Sequence, residues 1–222
     1  RLEEGQQQLP LLDDDRRHRQ QQLNTEAATV SQLSAKLDAL RALQEKVQTS
    51  GKLQPWLAKH GLDGMQGLWT RIAIESGWEN ALEAALRERL GALEVGRLDM
   101  VRGVLGSGRQ DAPPARLAFF SPPQAGLSAA AGKFARLSDL LKINDAGLRA
   151  VLSNWLTGCY TAPTLDEALA KRSELQPGDT IYVASGHAVT AHSVTFYAQD
   201  SEQSGLLARA QEIEHLEKEV RA

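Results

Sequence analysis

Residues 68–95 read LWTRIAIESGWENALEAALRERLGALEV, and this stretch decides the fold class. Leu68, Ile72 and Ile74 fall on one face of an alternating run from Leu68 to Glu75, which predicts a strand ended by Gly77. Trp78, Leu82, Ala85, Leu86 and Leu90 then recur at helical spacing, and Gly91 supplies a helix stop. Ala92 to Val95 is short and apolar and predicts a second strand. A strand, a helix and a strand in quick succession make a small α/β unit.

The pattern continues downstream. A helix is expected around Leu98 to Leu105, then a loop marked by Gly106, Gly108, Pro113 and Pro114, then a strand from Arg116 to Phe120 closed by Pro122 and Pro123. A segment rich in Ala and Gly, Ala125 to Lys133, separates this half from a second one. There, Phe134 to Leu141 and Ala146 to Leu156 read as helices, and Gly158 to Ala162 as a strand. Thr164 followed by Glu167 is a capping box, since the Thr164 hydroxyl can accept from the Glu167 amide. The helix it opens runs to about Leu175. Pro177-Gly178 turns the chain into a strand, Asp179 to Ala184, and Val189 to Ala198 is again rich in β-formers.

The two ends differ from this middle. Leu23, Val30 and Leu37 are seven apart, and Leu33, Leu40 and Val47 repeat three residues later, a heptad seam interrupted at Glu26 and Gln44. From Leu23 to Val47 the helix would span roughly 37 Å at about 1.5 Å per residue. A lone helix with so narrow a stripe is marginal in water and needs a partner. Leu206, Ile213 and Val220 are also seven apart, with Leu216 in the other series and Arg209 breaking it. Taken alone, that short stretch reads equally well as an ordinary amphipathic helix. Both stretches leave the same middle, so they are expected to pair antiparallel. The organisation expected is an arm at 1–50, a first half at 51–125, a second half at 126–203 and a returning arm at 204–222. The chain begins with Arg1 inside a helix-prone stretch, which reads as the interior of a longer protein.

Composition narrows the function. The formal net charge is −3, and residues 51–200 hold 15 Lys and Arg against 15 Asp and Glu, which argues against a basic nucleic-acid footprint over the whole domain. The one cysteine, Cys159, rules out an internal disulfide framework, fits a reducing cytoplasm and reads as a small buried hydrophobe. No apolar run approaches the roughly 18 residues of a membrane span. His60, His187, His192 and Cys159 match no metal-ligand spacing. Ser185-Gly186-His187 lacks the glycine pattern of a nucleophile elbow. Gly132-Lys133 is followed by Phe134 and has Leu127 where a P-loop needs glycine, and Gly103, Gly106 and Gly108 are in the wrong order for a dinucleotide fingerprint. Trp56, Trp69, Trp78 and Trp155 read as core anchors. Arg97, Arg102, Arg109 and Arg116 cluster around one helix and loop; they read either as a solvated face or as contacts to DNA phosphates.

The order of these segments resembles the hinge of the SMC (structural maintenance of chromosomes) proteins, in a wording closest to those of proteobacteria. Residues 67–95 (GLWTRIAIESGWENALEAALRERLGALEV) resemble the hinge opening, and residues 116–122 (RLAFFSP) resemble its GRATFLP strand. Leu156-Thr157-Gly158 resembles its LLG before a strand, and residues 180–189 (TIYVASGHAV) resemble the strand and turn that follow. In one place the chain departs from that pattern. The family continues with paired interface glycines, whereas this chain has Ala191-His192-Ser193-Val194.

The resemblance implies an α+β module of two small halves on an intramolecular antiparallel coiled coil. It implies a homodimer that holds two long arms together, with Gly186, Ala191, His192, Ser193 and Val194 at the interface. The seam would comprise Leu23, Val30, Leu33, Leu37, Leu40, Val47, Leu206, Ile213, Leu216 and Val220. It further implies a cytoplasmic, nucleoid-associated chromosome-organising ATPase whose ATP-binding heads and kleisin-type partners engage parts outside this chain. The hinge itself would need no cofactor and catalyse nothing, and any DNA contact would be non-sequence-specific. Two rival readings are a monomeric DNA- or protein-binding module on a coiled-coil stalk, and a small hydrolase domain within a coiled coil.

Overall fold

The computed structural model describes residues 2–49, 53–101, 113–114, 117–123, 133–197 and 205–221, with side chains from residue 13 onward and not for 45–49. The chain forms two compact units, Gln44–Gln211 and the pair Arg1–Leu43 with Glu212–Ala222. The first helix, α1, runs Leu2–Thr49 and the last, α6, runs Leu206–Arg221.

The larger unit is α+β, as the sequence implies. After α2 (Leu53–Lys59), the stretch predicted as the first strand folds differently: Leu68–Thr70 is a 3-10 turn, and Ile74 makes only an isolated bridge to Leu141. The spacing leaves both elements open. The two-residue step holds from Ile72 to Ile74, but Leu68 to Ile72 is a four-residue step, which a helical turn satisfies. All three side chains are buried either way.

Helix α3 (Glu79–Leu86) ends earlier than Gly91 predicts, because Arg87 takes a positive φ of 50° and the chain continues as a 3-10 turn through Gly91. Strands β1 (Leu93–Glu94) and β2 (Phe119–Phe120) then pair in parallel, with Leu93 opposite Phe119 and Glu94 opposite Phe120. The predicted helix from Leu98 is a 3-10 turn at Leu98–Met100; its continuation and most of the 125–133 linker lie outside the described residues.

The second half keeps to expectation more closely. Asp145 accepts a hydrogen bond from the Leu148 amide at 2.9 Å and so caps α4 (Ala146–Trp155). The Arg71 guanidinium binds the same carboxylate at 2.8 Å and also reaches Glu94. Thr164 caps α5 (Leu165–Lys171), accepting from the Glu167 amide at 3.2 Å as the capping box predicts. Phe134 to Leu141 holds only a 3-10 turn, Leu137–Leu140, which buries Leu137 and Leu141.

Strands β3 (Cys159–Thr161), β4 (Thr180–Tyr182), β5 (Ala188–Val189) and β6 (Val194–Thr195) form one sheet in that order. The first pair is parallel and the other two are antiparallel. The main core draws on both sides of the expected boundary at 125, joining Leu68, Leu82 and Phe120 to Leu148, Leu152, Tyr182 and Leu207. A smaller core of Ala168, Ile181, Val183 and Val189 lies under the four-stranded sheet.

Trp56 is buried, and Trp69, Trp78 and Trp155 pack half-buried against the main core, which agrees with their reading as anchors. Cys159 also packs there. Burial pushes its thiol up to about 11, with Arg89 pulling down and Asp179 pushing up more weakly. At pH 8 its alkylation by iodoacetamide is therefore expected to run on the order of 100-fold slower than that of an unhindered thiol. A rate equal to that of the urea-unfolded chain would contradict this environment.

Candidate functional site

Strand β6 is the outermost strand of the four-stranded sheet, and among the described residues no strand pairs with its outer side. Its register with β5 places Val194 opposite Val189 and Thr195 opposite Ala188. The hairpin closes where the Thr190 amide donates to the Ser193 carbonyl at 2.9 Å. Antiparallel pairs alternate between bonded and non-bonded positions, so the N–H and C=O of Val194 face away from β5. Unpaired strand edges of this kind are templates for another strand. Val194 is 39% exposed and Phe196, just past the strand, is 69% exposed. The opposite half also carries an open edge: among the described residues, β2 pairs only with β1.

The missing glycines have a local explanation. Ala191 and His192 form the tip of the hairpin without any positive φ. The Thr190 hydroxyl holds this turn, accepting from the Ser193 amide at 3.0 Å and the His192 amide at 3.3 Å, with its oxygen 2.7 Å from the Ser193 hydroxyl. A side-chain oxygen thus replaces the conformational freedom that glycine would supply. His192, Ser193 and Val194 are exposed and Ala191 is half-buried.

Gly186 is placed otherwise. It is buried, with φ +89°, and a Cβ there would lie 2.7 Å from the Tyr197 ring and 2.9 Å from the Asn80 carbonyl oxygen. Its close approach is therefore made within its own chain, which corrects its assignment to the dimer surface. Behind the edge, the Tyr197 amide donates to Nδ1 of His187 at 3.0 Å, and the Phe196 ring meets the His187 ring edge-on at 5.1 Å between centroids. The Tyr197 hydroxyl donates to Glu83 at 2.7 Å. Burial and this carboxylate hold the phenol well above its usual range. The sequence reading missed Glu83; its only signal was a carboxylate on the buried face of a helix, next to Leu82 and Leu86.

The helical seam is partly as read. In the smaller unit, Lys36 pairs with Glu212 at 2.6 Å and Arg41 with Glu217 at 2.5 Å, two ion pairs that flank Leu37 and Leu216 in sequence. Both leucines are buried; Leu33, Leu40, Ile213 and Val220 are half-buried. Val30 and Leu23 are exposed, contrary to their assignment to the seam. The side chain of Val47 lies outside the described residues. Leu206 is corrected too: it packs half-buried on the main core, and its neighbour Leu207 is fully buried. The two polar breaks, Gln44 and Arg209, meet each other. Arg209 Nε donates to Gln44 Oε1 at 3.1 Å, and Gln44 Nε2 donates to the Leu206 carbonyl at 3.3 Å.

Arg97 is exposed beside Asp99, 3.7 Å away, while Arg102, Arg109 and Arg116 lie outside the described residues. His60, Cys159, His187 and His192 form no ligand cluster, and no described helix is long and apolar enough to cross a membrane.

Comparison with known proteins agrees with this architecture. Residues 63–172 match the family model of the SMC proteins' flexible hinge domain. Over 221 residues the chain is 77% identical to a chromosome partition protein Smc of Delftia acidovorans, covering 100% of this chain and 19% of that protein. It is 52% identical over 215 residues to one of Burkholderia pseudomallei, covering 96% and 18%. The chain thus spans about a fifth of the length of these curated relatives. The SMC hinge domain of Geobacillus stearothermophilus, solved as an asymmetric dimer, superposes with a TM-score of 0.62 at 19% identity, over 90% of this chain and 88% of that one. With its helical ends, its paired small sheets and these relatives, the chain belongs to the hinge domain family of the SMC proteins.

Proposed function

We propose that this chain joins two copies of a chromosome-partition protein through the open edge of β6. The observation that carries the reading is that each half has one strand edge without a described partner, and that Val194 and Phe196 stand exposed on one of them. Two copies placed head to tail would pair β6 of each with the first half of the other. The two contacts would be identical by two-fold symmetry, so the ring closes and does not propagate. The Geobacillus hinge domain, solved as an asymmetric dimer, supports self-association. The surface then comprises Ala191, His192, Ser193 and Val194 with Phe196, and Gly186 serves from beneath.

The rest of the reading is carried over from the family resemblance. The parent protein is an ATPase with heads outside this chain, acting in the cytoplasm at the nucleoid in chromosome condensation and segregation. Kleisin-type subunits bind elsewhere on it, and the hinge needs no cofactor. DNA contact, if the hinge makes one, runs through Arg97 and its neighbours Arg102, Arg109 and Arg116, and weakens steeply with salt.

Sedimentation equilibrium of the 222-residue chain tests the pairing. A mass of twice 24.2 kDa is expected. Val194→Pro removes an amide that faces away from β5, so the fold should persist while the dimer constant weakens roughly a hundredfold or more. A monomeric parent chain, or an unaltered constant in the variant, would remove β6 from the interface. A monomer whose DNA binding falls steeply with salt would favour the stalk-borne binding module.

A further inference from the structure

Glu83 is a buried carboxylate on α3 that edge pairing does not use, yet three donors from two separate segments converge on it. Its Oε2 accepts from the Tyr197 hydroxyl at 2.7 Å and from the Gly205 amide at 2.8 Å. Its Oε1 accepts from the Leu207 amide at 2.6 Å. Gly205 precedes α6 and Leu207 lies in its first turn, so the carboxylate caps a helix more than a hundred residues away in sequence. A helix start has unsatisfied amides and a partial positive charge, and a carboxylate answers both. Tyr197 follows the exposed edge by two residues, its amide held by His187 and its ring laid against Gly186.

From this convergence we infer that Glu83 is a latch, a positioning residue that links the order of the β6 edge to the capping of α6. The inference rests on the edge-pairing reading above. When a second strand pairs along β6, the backbone through Phe196 is fixed and the bond from the Tyr197 hydroxyl to Oε2, already made in the single chain, becomes more persistent. The carboxylate is then held in the orientation that receives the Gly205 and Leu207 amides. When the edge is released, the Tyr197 donor is held less persistently and the cap loosens. Linkage makes the effect reciprocal: whatever loosens the cap weakens the dimer by the same factor. The next turn of α6 has other holds, since Gln211 Nε2 donates to the Ile74 carbonyl at 3.0 Å and Arg209 bonds Gln44. Loosening is therefore confined to the first turn and does not unfold the unit.

Hydrogen exchange of the amides between Leu207 and Gln211 in the full chain tests the latch. The dimeric chain is compared with the Val194→Pro monomer, and each again with Tyr197→Phe. Exchange in this turn is expected to be about tenfold faster in the monomer than in the dimer, a difference that Tyr197→Phe abolishes by making both fast. Equal exchange in dimer and monomer, with dimerisation intact, overturns the latch and leaves the edge reading standing. If the parent chain sediments as a monomer, the edge reading has failed and the latch is judged on Tyr197→Phe alone. Faster exchange in that variant keeps the Tyr197–Glu83 link, and unchanged exchange overturns it.

Discussion

Gly186→Ala is expected to lower the thermal midpoint by roughly 10 °C, a loss of about 3–4 kcal/mol. Two costs combine. The residue sits at φ +89°, where an L side chain is strained by about 1–2 kcal/mol. The added Cβ would also lie 2.7 Å from the Tyr197 ring and 2.9 Å from the Asn80 carbonyl oxygen. The carbonyl is backbone and cannot swing aside. If the ring gives way instead, its hydroxyl leaves Glu83. Gly178→Ala separates the terms, because Gly178 has φ +92° but open space around its Cβ position. That variant should lose only the strain, about 1–2 kcal/mol. Differential scanning calorimetry of both at one protein concentration gives the comparison. Equal losses would show that the contacts at Gly186 are soft and that only its backbone conformation is costly to replace.

Glu83→Ala should cost about 3–5 kcal/mol in urea denaturation. It strips the acceptor from two amides and a phenol at once, and each donor left unpaired in a buried site costs about 1–3 kcal/mol. Gly205 and Leu207 are both buried, so water reaches their amides poorly. Water entering the space left by the carboxylate would offset part of this. The loss is expected to exceed that of Tyr197→Phe, which removes one donor and leaves the Gly205 and Leu207 amides their acceptor. A loss below about 1 kcal/mol would mean that water substitutes fully and that the cap contributes little.

Some of this was open to a reader of the sequence. The heptads of Leu33, Leu37 and Leu40 against Ile213, Leu216 and Val220 predict an antiparallel pair because an apolar stripe has nowhere else to go. The capping box at Thr164 is a local bond between residues three apart, and it forms as read. Short apolar runs ended by Gly and Pro gave β1 to β4 nearly in place. The strand expected at Leu68–Glu75 failed because a mixed spacing of four and two is compatible with either element, and packing on Leu82 and Leu148 decided it.

Local rules determined this protein's helical ends, its α+β class and its turn chemistry, since each depends on residues within a turn or a heptad of one another. Only the tertiary structure decided what the polar and special residues do. Gln44 and Arg209 each break a seam when read alone, yet they bond each other across 165 positions. Glu83 looks like one more surface carboxylate until Gly205 and Leu207 arrive from 122 and 124 residues away. Gly186 belongs to a turn by sequence and to a packing contact with Asn80 and Tyr197 by structure. The reason is common to all of them. A buried polar or glycine position is defined by the partner that closes on it, and periodicity along one chain segment carries no record of that partner.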